Sequence, residues 1–450
     1  MKKTLMASAM AAAASLTYGA GAAMAGDFEA RLAVSAESRF YTQEPQYDDQ
    51  TQIYVQPSVA VEPELDYRFE NGTDRLTFVG FGRYDPNDTR RTHVDVREAY
   101  WLHEGDGWDS LIGINRVFWG VTESRHLVNI VNQIDGVEDI DNEDFLGEPM
   151  INLNIDSGFG RFGFYVMPGF RERTFVEDDA RLRGPLPIDE SRSEIEGDWD
   201  KKSVDFALRY ENTFGPADIG LSYSHGISRE PWLTPRVNSP FPLLEDAVND
   251  YLADQNSFDD LDDLRDSVCD VIDCDGGLIS ELGDLVLAPR YDKIDQIGLD
   301  LQAAQGDWLF KLESMVRFGH AQTIFAAVGG FEYTFFDVGE TGADVGLLAE
   351  YLFDSRDPDR IDVPPTIYDN DVFVGSRIAL NDIGSTNLLG GAVVDVDNQE
   401  IAASIEASTR IVDNLVLGVE GRFFFNEASK GLLSSVAKDD FVNLRMTWSF

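Results

Sequence analysis

The sequence has little cysteine, few basic residues and no long hydrophobic run beyond its first residues. It contains 36 Lys and Arg against 81 Asp and Glu, which gives a formal net charge of -45. A chain so poor in positive charge is not expected to bind nucleic acid through phosphate contacts. After residue 25 no apolar stretch is long enough to cross a bilayer as a helix, so any membrane-spanning part must consist of strands.

The first 25 residues have the pattern of a secretory signal peptide. Met1-Lys2-Lys3 supplies a positive start, an apolar and small-residue stretch follows, and Ala23-Met24-Ala25 has the small-residue form of a cleavage site. We therefore predict that residues 1–25 are removed and that the mature protein starts at Gly26.

Cys269 and Cys274 are the only cysteines, and the C-x4-C spacing in an exported chain predicts a small local disulfide. Their acidic neighbours offer oxygen ligands only, so we expect no metal site there and no cofactor. The five histidines provide little material for a catalytic constellation. We expect that the protein is not an enzyme.

From Asp27 onward, short segments of alternating apolar and polar residues are separated by Gly, Asp, Asn and Pro. In the first segment Phe28, Ala30, Leu32 and Val34 share one face of an extended strand. About 16 to 18 such segments follow one another, which is the repeated pattern of a membrane barrel. We predict an all-β fold, a single transmembrane antiparallel β-barrel of about 16–18 strands that covers residues 26–450.

The final segment carries the most specific signal. Val442, Leu444, Met446, Trp448 and Phe450 alternate along one face, and the chain stops on an aromatic residue. This resembles the closing strand of outer-membrane proteins, in which a terminal Phe is recognised by the barrel-assembly machinery. The resemblance implies the outer membrane of a Gram-negative bacterium, with Trp448 and Phe450 as the assembly signal.

Three long connections stand out near residues 121–149, 171–202 and 231–289, and long connections are expected on the extracellular side of a barrel. In the third, apolar residues recur at helical spacing before the cysteine pair, which predicts two short helices pinned by the disulfide. These helices could cap the barrel mouth or fold into it, and a solvated surface loop is an equal alternative.

Charged side chains opposite the lipid-facing residues are expected to line the lumen. A mixed-charge lumen holds water and could select solutes by charge, although neighbouring Arg and Glu could instead pair across strands and stiffen the wall. The candidates are Arg31, Arg39, Arg83, Arg97, Arg116, Arg317, Arg377, Arg410, Arg422, Arg445, Glu350, Glu406 and Glu420.

One stretch of about fifty residues resembles a more particular group. It contains Arg97-Glu98-Ala99-Tyr100, Trp108-Asp109-Ser110-Leu111-Ile112-Gly113 and Arg116-Val117-Phe118-Trp119-Gly120, with Asn129, Asn132 and Asp135 downstream. This is similar to alginate-export-type porin-like barrels and a related group of uncharacterised outer-membrane proteins. The resemblance implies that the segment after Gly120 enters the barrel and narrows it.

These observations predict a porin-like channel for diffusion or facilitated transport of small solutes. The alternatives are an exporter of an acidic polysaccharide, which should have a strongly basic lumen, and a non-conducting structural or adhesive barrel. The expected partners are outer-membrane lipid, the barrel-assembly machinery and small solutes. Oligomers are possible, because an outward apolar face contacts lipid or a neighbouring copy equally well.

Overall fold

The computed structural model describes residues 26–197, 202–238, 284–357, 360–425 and 432–450. The predicted signal peptide, the pair Cys269 and Cys274, and the two predicted helices before them lie outside the described residues, so these three predictions stay open.

Twenty-one strands follow one another in the described residues. Eighteen of them form one large sheet, and β8, β11 and β12 form a separate small one. The bounds are β1 Gly26–Tyr41, β2 Val55–Phe69, β3 Asp74–Tyr84, β4 Val94–Gly105, β5 Trp108–Asn115, β6 Glu148–Ser157, β7 Gly160–Pro168, β8 Glu194–Ile195, β9 Val204–Phe214, β10 Ala217–Ile227, β11 Trp232–Asn238, β12 Asp284–Tyr291, β13 Lys293–Gln305, β14 Trp308–Phe318, β15 Ile324–Phe335, β16 Asp344–Asp354, β17 Asn370–Ala379, β18 Asn387–Asp395, β19 Ile401–Val412, β20 Leu415–Phe425 and β21 Phe441–Ser449. Short 3-10 turns occupy Glu190–Arg192, Val338–Glu340 and Leu432–Val436.

The large sheet closes on itself. Each of its strands pairs antiparallel with the next one along the chain, and β1 pairs with both β2 and β21. In the closing pair Ala33 lies opposite Ser449 and Tyr41 opposite Phe441. The predicted fold class is confirmed: the protein is an antiparallel barrel of 18 strands. Closure leaves no unpaired sheet edge, which the hydrocarbon core of a membrane requires.

The outer surface of the barrel is apolar because alternate residues of each strand point away from the lumen. Large side chains such as Phe28, Leu65, Phe78 and Leu444 are exposed there, whereas their strand neighbours point inward. Such a surface is unfavourable in water, and lipid chains can cover it.

The two rims differ in the length of their connections. At one rim the strands are joined by turns of two to eight residues, several of which contain glycine with positive φ, such as Gly107 (75°), Gly215 (63°) and Gly306 (64°). In the turns at 215–216 and 306–307 the glycine comes first, and a positive φ at that position matches the twist of the paired strands and is free of strain only in glycine. Every connection longer than eight residues lies at the other rim. Membrane barrels have this asymmetry, with their short turns on the periplasmic side.

The long-connection rim carries the small sheet. β11 pairs antiparallel with β12, and β12 pairs in parallel with β8. The region predicted as a loop at 231–289 thus begins and ends in strands that extend beyond the barrel. Among the described residues, no helix has the length and apolar character needed to cross a bilayer.

Candidate functional site: a constriction inside the barrel

Residues 116–147, which connect β5 to β6, fold into the barrel and are called the constriction loop below. Val128, Gln133 and Asp135 in this loop are fully or almost fully buried, although no strand contains them. A connection at a barrel rim would be solvated, so this burial places the loop against the inner wall. The inward course that the family resemblance implied is present.

Apolar contacts fasten the loop to one side of the wall. Val128, Ile130 and Val131 join Trp119 in a buried cluster with inward residues of β5, β6, β7, β9 and β13, among them Leu111, Met150, Met167, Ala207 and Ile294. Leu127 enters a second cluster with Met315, Ile324, Ala326, Val328, Leu348, Leu352 and Phe373. The inner wall here is therefore dry, because apolar residues point inward as well as outward.

Two buried carboxylates of the wall hold the loop backbone. Glu313 on β14 accepts hydrogen bonds from the backbone N–H groups of Val121 (2.7 Å), Thr122 (3.0 Å) and Leu127 (2.7 Å). Glu350 on β16 accepts from the backbone N–H of Ser124 at 2.9 Å and from its hydroxyl at 2.6 Å. These bonds satisfy N–H groups that would otherwise be buried without a partner.

Arginines on β1, β3 and β4 bind acidic residues of the loop. Arg97 reaches Asp135 at 2.7 Å, Arg83 reaches Glu138 at 2.6 Å, and Arg39 reaches Asp139 at 3.2 Å. All six side chains are at least nine-tenths buried. Removing one partner from such a pair leaves an uncompensated buried charge, so these pairs fix the position of the loop.

The structure places the predicted lumen arginines in three different environments. Arg39, Arg83 and Arg97 lie beneath the constriction loop, and Arg317 is buried between Gln296 and Glu230. These four arginines pair with side chains of the wall, as in the alternative in which charged residues pair and stiffen the wall. Their partners lie on loops as well as on strands. Their predicted part in selectivity remains untested.

Arg377, Arg422 and Arg445 lie on the other side of the lumen and line a cavity of about 520 Å3. Arg422 contacts Asp141 (2.8 Å), Glu406 (3.0 Å) and Glu420 (3.0 Å), Arg377 contacts Glu123 (2.7 Å), and Arg445 contacts Glu37 (2.9 Å). The predicted Glu406 and Glu420 therefore share this cavity with three of the predicted arginines, whereas Glu350 is buried under the loop.

The remaining predicted arginines do not join this group. Arg31 pairs with Glu29 and Glu64, Arg116 pairs with Glu98, and Arg410 is exposed on β19. None of the three lines the 520 Å3 cavity.

Two cavities inside the barrel share part of their walls, and the shared residues mark the narrow region of the lumen. A second cavity, of about 450 Å3, opens among the long connections and is lined by Leu182, Leu186 and Ile188 together with Arg173 and Arg229. Both cavities include Asp139, Asp141 and Glu143 of the constriction loop in their walls. The cavity of about 520 Å3 is called the inner cavity and that of about 450 Å3 the outer cavity, and these three acids lie where the two meet.

The acidic stretch at this junction has shifted ionisation. Burial within the barrel and the charge of Asp139 raise the pKa of Asp141 to about 8, although Arg422 opposes the shift. The surrounding barrel limits hydration of Asp144, although its side chain is exposed to the lumen, and together with the charges of Glu138, Asp139 and Asp135 this raises its pKa to about 6. The same enclosure raises the pKa of Glu143. The charge of the constriction therefore changes across the ordinary pH range.

Sequence reasoning missed most of the residues that shape the constriction. Arg91, which is almost fully buried between Glu37 (2.6 Å) and Asp85 (2.9 Å), and Glu313 were not among the candidates. Neither were the acids of the loop. The run Asp139-Ile140-Asp141-Asn142-Glu143-Asp144 was the signal that could have indicated them, because so many acids in the segment expected to enter the barrel must affect its charge.

Two groups of ligating atoms lie close together in the described part of the chain: His93, Asp135 and Glu138, and Asp369, Asp371 and Asp395. Arg97 and Arg83 already neutralise the carboxylates of the first group. The second is an acidic cluster whose side chains accept hydrogen bonds from neighbouring backbone. Neither group supports a metal site.

The chain terminus completes the barrel seam. The backbone N–H of Phe450 donates to the carbonyl of Leu32 at 2.9 Å, and the N–H of Leu32 donates back to Phe450 at 3.1 Å. Trp448 lies opposite Val34 in the same pairing. Recognition of Trp448 and Phe450 by the assembly machinery remains a prediction.

No family model matches the chain, and no curated protein matches it in sequence. Solved structures do match it across almost its whole length. OccK11 (OpdR) of Pseudomonas aeruginosa has a TM-score of 0.50 at 8% identity, with 94% of this chain and 96% of that chain covered. A BenF-like porin from Pseudomonas fluorescens Pf-5 gives 0.49 at 9%, with 94% and 98% covered. Wzi, a carbohydrate-binding barrel involved in group 1 capsule assembly in Escherichia coli, gives 0.46 at 9%, with 95% and 85% covered. The likeness to OccK11 shows that this chain has a porin-like barrel fold.

Proposed function

We propose that the protein is a channel in the outer membrane of a Gram-negative bacterium, through which small solutes pass by diffusion or facilitated transport. One observation supports this most: the two cavities beside the constriction loop share Asp139, Asp141 and Glu143 as wall residues. A narrow region lined by fixed charges between wider cavities restricts passage by size and charge. No chemical step is part of this role, and its partners are lipid, the assembly machinery and the solutes.

The experiment is single-channel recording of the purified full-length protein in planar bilayers. A channel gives discrete, steady current steps, and liposomes that contain it swell in isotonic solutions of small neutral solutes. A protein that is correctly folded but gives neither current nor swelling would overturn the proposal. Folding is checked independently by the altered gel mobility of unheated samples and by the circular dichroism of the strands.

A non-conducting structural or adhesive barrel is the second candidate, and the dry packing around Val128 and Leu127 favours it. The same recordings separate the two, because this candidate gives no current even after the constriction loop is loosened. Export of an acidic polysaccharide has less support, since acids outnumber arginines around the inner cavity.

A further inference from the structure

The side chains that line the inner cavity carry more negative than positive charge. Its lining contains three arginines and six acids: Arg377, Arg422, Arg445, Asp139, Asp141, Glu143, Asp144, Glu406 and Glu420. An excess of acids along a narrow aqueous passage attracts cations and repels anions. The count alone does not decide selectivity, because a buried or paired group contributes less to the field that a passing ion meets.

The arginines of this cavity are all engaged. Arg422 is surrounded by Asp141, Glu406 and Glu420, all within 3.0 Å of its guanidinium nitrogens, and only about a tenth of its side chain is exposed. Arg377 and Arg445 have more exposed side chains, but each forms an ion pair, with Glu123 at 2.7 Å and Glu37 at 2.9 Å. A passing anion would have to compete with these carboxylates.

Two acids of the loop are in the opposite situation. The side chain of Glu143 is 59% exposed, and its nearest cationic neighbour is His126, whose Nε2 lies 3.9 Å away. Asp144 is also exposed. Within the described ranges, neither acid forms an ion pair with an arginine or lysine. The carboxylate of Glu143 therefore faces the water of the lumen at the junction of the two cavities, and that of Asp144 faces the inner cavity beside it.

From this asymmetry we propose that the constriction selects small cationic solutes, including those with ammonium groups, and that Glu143 and Asp144 are the selectivity-determining residues. The inference rests on the proposed channel function and makes it more specific. In this proposal the arginines of the cavity form ion pairs with acids of the wall and the loop. The charge that selects solutes comes from Glu143 and Asp144, which form no ion pair with an arginine of the described residues.

The test is the reversal potential of the full-length protein in a KCl gradient at pH 8, with wild type compared with the double variant Glu143→Gln, Asp144→Asn. The wild type is expected to pass K+ more readily than Cl-. A unit negative charge about 5 Å from an ion in water raises the local concentration of cations roughly fourfold and lowers that of anions by the same factor, so loss of both charges should lower the permeability ratio by more than roughly tenfold even with screening. Asp106→Asn, in the exposed turn between β4 and β5, removes one acid far from the constriction and should leave the ratio unchanged.

The outcomes separate this inference from the proposed function. Absence of current in the folded wild type overturns the channel itself. A wild type that conducts but prefers Cl-, or a double variant with an unchanged ratio, overturns the inference and leaves the channel intact. Replacement of K+ by tetramethylammonium extends the test to organic cations, and an excluded tetramethylammonium ion would restrict the proposal to inorganic ones.

Discussion

The two sides of the lumen are made from the same strand pattern but have opposite character. On the packed side, formed by β3–β7, β9, β10 and β13–β16, inward residues meet the constriction loop and are buried, as Arg97 and Met315 are. On the open side, formed by β18–β21 and the end of β17 that carries Arg377, inward residues such as Arg377 and Ser408 face a cavity. The difference shows that strand alternation alone does not tell which inward charges face water and which are covered by a loop.

The largest expected effect comes from releasing the loop on the packed side. Glu313→Ala leaves the backbone N–H groups of four loop residues without their acceptor, namely Val121, Thr122, Leu127 and Val128. A buried donor left unsatisfied costs about 1–3 kcal/mol, so several together should free the loop. We expect a several-fold higher conductance and new protease cleavage within residues 116–147.

Glu406→Ala is the matched control on the open side, where the acid is half exposed and, among the described residues, forms an ion pair with Arg422 alone. It should leave the protease pattern unchanged. If Glu313→Ala folds as a barrel with wild-type conductance and no new cleavage, the loop is not held in the way described here.

Replacing an arginine by alanine should lower the stability of the protein more on the packed side than on the open side. Arg97→Ala removes the arginine partner of the fully buried Asp135, which then keeps His93 and Thr174 as neighbours, and should lower the free energy of unfolding by about 3 kcal/mol. Arg377→Ala removes a half-exposed partner of Glu123 and should cost less than about 1 kcal/mol. Urea unfolding followed by tryptophan fluorescence measures both. Equal losses would contradict the division into a packed and an open side.

The ion selectivity of the channel should depend on pH. A carboxyl group carries charge above its pKa, and the pKa values of Asp144 and Asp141 are raised to about 6 and about 8. The groups that face them are Glu138, Asp139, Asp135 and Arg97 for Asp144, and Asp139, Arg422 and Glu143 for Asp141. The preference for K+ over Cl- should therefore increase by roughly tenfold between pH 5 and pH 8.5.

Reversal potentials at several pH values measure this increase, and the variant Glu143→Gln, Asp144→Asn should show a smaller one. A preference that falls as the pH rises would mean that the arginines, and not the acids, control the constriction.

The smallest expected effect is that of ionic strength. Screening shortens the reach of a charge from about 10 Å at 0.1 M salt to about 3 Å at 1 M. The cation preference should accordingly weaken by less than about threefold over this range. A preference that does not change at all would indicate that the selecting charges are shielded from the solution, as those of the packed side are.

The sequence was sufficient for the barrel, because alternation in β1 and β21 directly reports which residues face lipid. It was not sufficient to separate Arg97 from Arg377, since both point inward and only the distant loop decides which one is covered. One local signal did exist. Ile324-Phe325-Ala326-Ala327-Val328 in β15 is apolar without alternation, which indicates that the inward face of the strand is packed against apolar groups in addition to the apolar outward face.

The most direct test of the two-sided lumen uses single cysteines in a background with Cys269 and Cys274 replaced by serine. Ser408→Cys lies on the open side, where the serine lines the inner cavity, and Ser222→Cys lies on the packed side, where the serine is buried. During single-channel recording, a cationic methanethiosulfonate reagent should modify Ser408→Cys and reduce the current in steps, and it should leave Ser222→Cys unmodified. Rapid modification of Ser222→Cys together with an unreactive Ser408→Cys would contradict the account.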